Sequence, residues 1–256
     1  MSHPGACRLE NQQKLPYQLT HIVGRMSLFV APALLIVGWV LNYDSVAGFL
    51  DFKLSNLYLT EGRSASPEEF LSALTGPDRG FRQFLLPHYF IYASMPLFIV
   101  ATLQLAKTQF AKIPWHALIG AALAIVGAVY FVGVLGAWFP FRAMAEIPAA
   151  PADSLAILKE LTRVEGVLLV STILSIQLFV GWIIIGFGML AARTIPRWSA
   201  VVFIAGNTLV LLFGGVENWM ALGAAMILVG LLPLGLGAFK TSNGEVGPIM
   251  DRGDAS

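Results

Sequence analysis

The chain has 256 residues, of which 57% are hydrophobic and only 12% are charged, and its mean hydropathy is +0.73. A soluble domain carries roughly 25% charged residues, so this composition excludes an ordinary soluble globule and indicates a protein that lies in lipid. The formal net charge of +1 excludes a strong field that would attract nucleic acid or an acidic partner.

Six apolar stretches are candidate transmembrane helices, because a span needs roughly 20 apolar residues. In chain order they cover residues 22–43, 86–107, 116–139, 164–192, 198–216 and 219–239. The predicted fold class is therefore all-α, a polytopic membrane bundle of about six transmembrane helices. Only Glu217 and Asn218 separate the last two stretches, so a re-entrant loop is an alternative for that pair.

The distribution of Lys and Arg predicts the orientation of the bundle. The short loops that carry Lys107 and Lys112 and then Arg193 and Arg197 contain no acidic residue. The longer loops 44–85 and 140–163, on the other side, are rich in Asp and Glu. The positive-inside rule then places both termini in the cytoplasm. The predicted organisation is an N-terminal tail (1–21), a helical bundle (22–240) and a C-terminal tail (241–256).

The two long outer loops contain helix signals. Ser66 is a suitable N-cap, Pro67 suits the first helical position, and Glu69 completes a capping box, so a short helix is predicted through Leu74. A second short helix is predicted over 155–163, ahead of the fourth span. Together these segments predict a small helical cap on the outer face.

Small residues predict how the helices pack. Gly120, Ala124 and Ala128 recur at every fourth position of the third span, and Gly223 and Gly230 lie in the sixth. Such smooth faces let helix backbones approach closely in lipid. We expect packing within the bundle; a docking face for another subunit is the alternative.

A candidate site of ionisable residues is predicted on the outer side. His88, Glu165 and Glu217 lie near the outer ends of three spans, and Arg82 and Arg142 lie in adjoining loops. If the outer ends of these spans surround one opening, the groups suit proton transfer or the binding of a polar headgroup or small ligand. The alternative is that each residue is solvated separately at the interface.

Deeper in the spans, Asn207 is the best candidate for a buried polar residue. We expect it to hydrogen-bond a neighbouring helix, with a ligand contact as the alternative. His88 lies at the outer end of the second span, and His116 lies at the inner end of the third. The two are separated by most of a bilayer, ~30 Å, so they cannot bind one haem iron. The single cysteine, Cys7, has no metal-ligand spacing. We therefore predict no metal site and no cofactor.

The second half of the chain carries Gly-Phe-Gly-Met-Leu-Ala-Ala-Arg at 186–193, Ile-Pro-Arg-Trp at 195–198 and Ala-Gly-Asn at 205–207. Over residues 164–240 this pattern resembles a broad group of small multi-pass bacterial membrane proteins of unknown function. The resemblance implies a helical inner-membrane bundle, and it carries no catalytic residue over to this chain.

The predicted function is that of a non-enzymatic multi-pass membrane protein, either an accessory subunit of a membrane complex or a small ligand- or lipid-binding protein. Its expected partners are membrane lipids and, for a subunit, other membrane proteins. One alternative is a membrane enzyme that acts on a lipid-soluble substrate with His88, Glu165 and Glu217 as acid–base groups. A second is a small transporter or channel, which prolines inside the spans favour and the shortage of buried polar residues disfavours.

Overall fold

In the computed structural model, residues 4–41, 50, 85–145, 156, 167–214 and 217–242 are described, and their regular structure is helical. The helices are α1 (Pro4–Leu41), α2 (Leu86–Gln109), α3 (Pro114–Ala145), α4 (Val167–Ser175), α5 (Gln177–Ala192), α6 (Arg197–Leu212) and α7 (Glu217–Ser242). Five stretches of this part of the chain are long and apolar enough to cross a membrane: Ile22–Leu41, Leu86–Gln109, Pro114–Gly136, Val170–Ala192 and Glu217–Leu234. The predicted all-α membrane bundle is confirmed.

The fifth predicted span is shorter than the sequence indicated. α6 has 16 residues and ends at Leu212, four residues before the predicted end. It is about 24 Å long at 1.5 Å per residue, less than the ~30 Å hydrocarbon core. The prediction that Glu217 and Asn218 form the connection to the last span was wrong, because both lie in α7. The carboxylate of Glu217 suits the first turn, where the helix dipole favours negative charge.

The fourth predicted span is interrupted at Ile176, which separates α4 from α5. The Ser175 hydroxyl donates to the carbonyl of Thr172 at 2.7 Å, a local bond that competes with the regular helix ladder. The backbone N–H of Val180 still donates to the Ile176 carbonyl at 3.3 Å. The two segments therefore continue one another as a single crossing.

The long helices form a closed ring. Around the ring α1 packs on α2, α2 on α3, α3 on α5, α5 on α6, α6 on α7, and α7 on α1. Neighbours are antiparallel, so the α2–α3 and α5–α6 loops lie at the same end. We call this the basic end, because Lys107, Lys112, Arg193 and Arg197 lie in these loops or at the helix ends next to them. The predicted outer cap belongs to the opposite end and falls outside the described residues.

The small-residue face of α3 packs against α5. A Cβ atom added to Gly120 would lie 2.8 Å from the carbonyl oxygen of Gly181, and Ala124 and Ala128 are completely buried. The expected packing within the bundle is confirmed. The alternative that this stripe docks another subunit was wrong, because α5 already covers it.

Glycines bring α6 and α7 equally close. A Cβ on Gly206 would lie 2.6 Å from the Gly223 carbonyl oxygen, and one on Gly230 would lie 2.8 Å from the backbone nitrogen of Phe203. The buried hydroxyl of Ser199 donates to the Gly230 carbonyl. These contacts run from Ser199 to Gly206 of α6, so α6 and α7 form an antiparallel helical hairpin. A re-entrant arrangement of this pair stays an alternative prediction, because α6 is shorter than the five helices long enough to cross a membrane.

Candidate functional site

The ionisable residues predicted to form one site are only partly placed. His88 lies half-buried in the first turn of α2, and Glu217 lies half-buried at the start of α7. Both therefore belong to the opposite end, as predicted. In the ring, however, α1 lies between α2 and α7, and those two helices share no extensive interface.

The other members of that group stay untested. Arg142 lies in the last turn of α3, because this helix extends to Ala145 and not to residue 139 as predicted. Arg82 and Glu165 fall outside the described residues. That all five predicted side chains line one opening at the outer ends of the spans remains a prediction. Among the described residues, no group of three or more His, Cys, Asp or Glu side chains could hold a metal ion.

The interior of the ring is filled by an aromatic stack. The ring of Trp182 on α5 lies 4.8 Å from Phe98 on α2 and 5.3 Å from Phe203 on α6, measured between ring centroids. All three side chains are completely buried. Bulky rings at the centre of the bundle leave this level closed to water.

A hydrogen bond fixes the central ring of this stack. The indole Nε1 of Trp182 donates to Thr102 Oγ1 at 2.7 Å, and the Thr102 hydroxyl donates to the Phe98 carbonyl at 2.7 Å. The indole N–H is thereby satisfied in an apolar interior, where an unpaired donor is costly. Sequence analysis did not identify this link between α2 and α5; a lone tryptophan in an apolar span gives no sign of its partner.

Asn207 is completely buried, as predicted. Its expected hydrogen bond to a neighbouring helix was wrong, because Nδ2 donates to the Phe203 carbonyl of its own helix at 2.8 Å. The remaining atom, Oδ1, has no partner among the described residues. The side chain therefore brings an unsatisfied acceptor to the face of α6 that also carries Phe203.

We expect Asn207→Leu to leave stability unchanged or to raise it by about 1 kcal/mol, because the variant removes a buried acceptor without a partner. Unfolding by SDS titration in mild-detergent micelles measures this, with Asn207→Asp as the variant that adds a charge and should destabilise. A loss above about 2 kcal/mol for Asn207→Leu would show that Oδ1 accepts a hydrogen bond.

A second buried amide lies at the basic end and was missed by sequence analysis. Gln109 is completely buried at the end of α2, and neither its Nε2 nor its Oε1 has a partner among the described residues. It packs against Gly188 of α5, where an added Cβ would also lie 3.0 Å from the Cβ of His116. The amide of Gln109 fills the space between α2 and α5, so this side chain contributes to their packing.

An apolar groove of about 390 Å³ lies at the described surface between α5 and α6. Its lining includes Phe187 and Leu190 from α5 and Val201, Ala205, Thr208 and Leu212 from α6. The hydroxyl of Thr208 donates to the Ile204 carbonyl at 2.9 Å, so its one donor is used within the helix. We call this the α5–α6 groove; its walls offer a ligand van der Waals contact alone.

The basic end of the α5–α6 groove carries an unusual backbone conformation. Arg193, the residue after α5, has φ +52° and ψ +41°, and it is the only residue other than glycine with positive φ in the described part of the chain. This left-handed position at a helix end favours glycine. Arg197 and Trp198 follow at the start of α6, both exposed.

Comparison with known proteins gave no relative: no protein-family model, no curated protein and no solved structure matches the chain.

Proposed function

We propose that this chain is a multi-pass inner-membrane protein that binds a membrane lipid in the α5–α6 groove, as a non-enzymatic lipid-binding protein or accessory subunit. The observation that carries the proposal is the groove itself. It is apolar, it is open at the surface of two apolar helices, and it has the volume of a small ligand pocket.

The length of the groove fits an acyl chain. Val201, Ala205, Thr208 and Leu212 form one stripe along α6. From Val201 to Leu212 the helix rises about 16 Å. One leaflet of the hydrocarbon core is about 15 Å deep. The stripe therefore spans the depth at which the acyl chain of a single leaflet lies, starting from the basic end.

The rival functions receive less support from the described residues. An enzyme that uses His88 and Glu217 together needs them in one site, yet α1 lies between the helices that carry them. A transporter or channel needs a path through the ring, and the stack of Phe98, Trp182 and Phe203 fills its interior. Binding at the lipid-facing surface requires neither arrangement.

Native mass spectrometry of gently extracted protein tests the proposal. We expect phospholipid to copurify with the wild type. Ala205→Phe should carry about tenfold less, because the phenylalanine ring fills the groove. A tenfold loss of affinity corresponds to about 1.4 kcal/mol. Ala122→Phe is the matched control, since Ala122 is exposed on α3 and away from the groove. Equal lipid occupancy in both variants would reject the groove as the binding site.

The orientation is tested by cysteine labelling in a Cys7→Ser background. Ala111 and Gly214 are exposed in turns at the basic end and the opposite end, respectively. In intact cells, we expect an impermeant maleimide to label Gly214→Cys and to label Ala111→Cys only after the cells are opened. The reverse pattern would overturn the proposal that the basic end faces the cytoplasm.

A further inference from the structure

We infer that the α5–α6 groove selects an anionic phospholipid, with its acyl chain along the groove and its phosphate against Arg193 and Arg197. This inference rests on the proposed lipid binding and adds to it the charge of the headgroup and the residues that recognise it.

Chain positions place both arginines at the basic end of the groove. Arg197 precedes Val201 by four residues on α6, and residues four apart lie on one face of a helix. Arg193 is the C-cap of α5, three residues after Leu190 of the groove lining, and its left-handed backbone takes it out of the helical repeat. Each of the two helices that form the groove thus has an arginine at its basic end.

The two arginines have no carboxylate on their own hairpin. The sequence from residue 166 to residue 216 contains neither Asp nor Glu, and both arginines are exposed. Lys112, in the turn between α2 and α3, donates to the Ala192 carbonyl at 3.3 Å. Guanidinium groups bind phosphate with paired N–H donors, so an anionic headgroup supplies the charge that this hairpin lacks.

The left-handed backbone of Arg193 belongs to the C-cap of α5. The backbone N–H groups of Arg193 and Thr194 both donate to the Met189 carbonyl, an arrangement that commonly ends a helix. A left-handed conformation is unfavourable for a residue with a Cβ atom, and a glycine at this position would avoid the cost.

Exposed Trp198 completes the arrangement. Its side chain is 54% exposed at the first turn of α6, beside Arg197. Tryptophan is enriched at the headgroup level of membranes. The groove therefore passes from an apolar wall to an interfacial ring and two cations, which is the order of groups along a phospholipid from tail to phosphate.

Titration of delipidated protein with two lipids that share acyl chains, phosphatidylglycerol and phosphatidylcholine, tests the inference by native mass spectrometry. We expect the wild type to prefer the anionic lipid by about 25-fold, since each of the two arginines near the headgroup contributes about fivefold. Arg193→Gln with Arg197→Gln should remove this preference and should weaken phosphatidylcholine less than phosphatidylglycerol, because the choline cation offsets the charge of the phosphate. Lys107→Gln, a charge change at the same end but on α2, should keep at least half of the preference.

Arg193→Gly separates the effect of the side chain on lipid binding from the effect of the backbone conformation on stability. We expect this variant to unfold at a higher temperature than the wild type without lipid, and to lose about fivefold in affinity for the anionic lipid. Unaltered preference in Arg193→Gly and in the double glutamine variant, or no preference in the wild type, would overturn the inference.

The results for the groove and for the headgroup are distinguishable. If Ala205→Phe removes both lipids equally and the arginine variants change neither, lipid binding stands and headgroup selection falls. If Ala205→Phe leaves both lipids bound, the proposed function falls as well. A native mass of two chains that Ala205→Phe returns to one would assign the groove to a second copy of the protein and reject a lipid there.

Discussion

Trp182→Ala is expected to destabilise the protein by about 3–5 kcal/mol, the usual cost of deleting a fully buried aromatic side chain. The indole stacks on Phe203, packs at a tilt against Phe98 and donates a hydrogen bond to Thr102. Its loss therefore opens a cavity at the centre of the ring and removes contacts among three helices. SDS titration in mild-detergent micelles measures the change as a shift of the unfolding midpoint.

Two variants divide this effect into its parts. Trp182→Phe keeps an aromatic ring and loses the hydrogen bond, which is worth roughly 1 kcal/mol between membrane helices, together with some packing. Trp115→Ala is the control, since Trp115 is 69% exposed and should cost little. If Trp182→Ala and Trp115→Ala destabilise alike, the aromatic stack does not hold the interior together.

Gly127→Ala is expected to cost about 2–3 kcal/mol although it adds a single methyl group. The new Cβ would lie 2.6 Å from the Cα of Leu178, so α3 and α5 must move apart and no side chain can rotate away. Overpacking of this kind typically costs 1–3 kcal/mol, against a gain of up to about 1 kcal/mol in helix propensity.

Gly133 on the same helix is the matched control. No atom lies within 4 Å of a Cβ built at that position. Gly133→Ala should therefore be neutral or stabilise by up to about 1 kcal/mol. Equal stability of the two variants in the same unfolding experiment would contradict the close α3–α5 interface.

The sequence was sufficient for the fold class, because apolar length alone identifies helices that must lie in lipid. It located the start of α2 at Leu86, and the spacing of Gly120, Ala124 and Ala128 predicted a close helix interface. The ends of α6 were harder. The apolar run continues past Leu212, and only the turn at Phe213 and Gly214 stops the helix.

The position of the groove and the place of Arg193 and Arg197 beside it could not be predicted from a single sequence. A groove depends on which two helices are adjacent, and apolar residues that line one look the same as residues that face bulk lipid. The left-handed backbone of Arg193 also has no signature in the residue itself. Asn207 shows a related limit: its burial followed from its apolar neighbours, but its partner depended on the geometry of its own helix.

Lipid quenching at the groove tests the central claim most directly. A fluorophore attached through Thr208→Cys in a Cys7→Ser background, in vesicles whose acyl chains carry bromine, should be quenched by the lipid and not by aqueous iodide. The same fluorophore at Gly214→Cys, exposed in the α6–α7 turn, should show the opposite response. Strong iodide quenching at Thr208→Cys, without quenching by brominated lipid, would show that the groove lies in water and not in the bilayer.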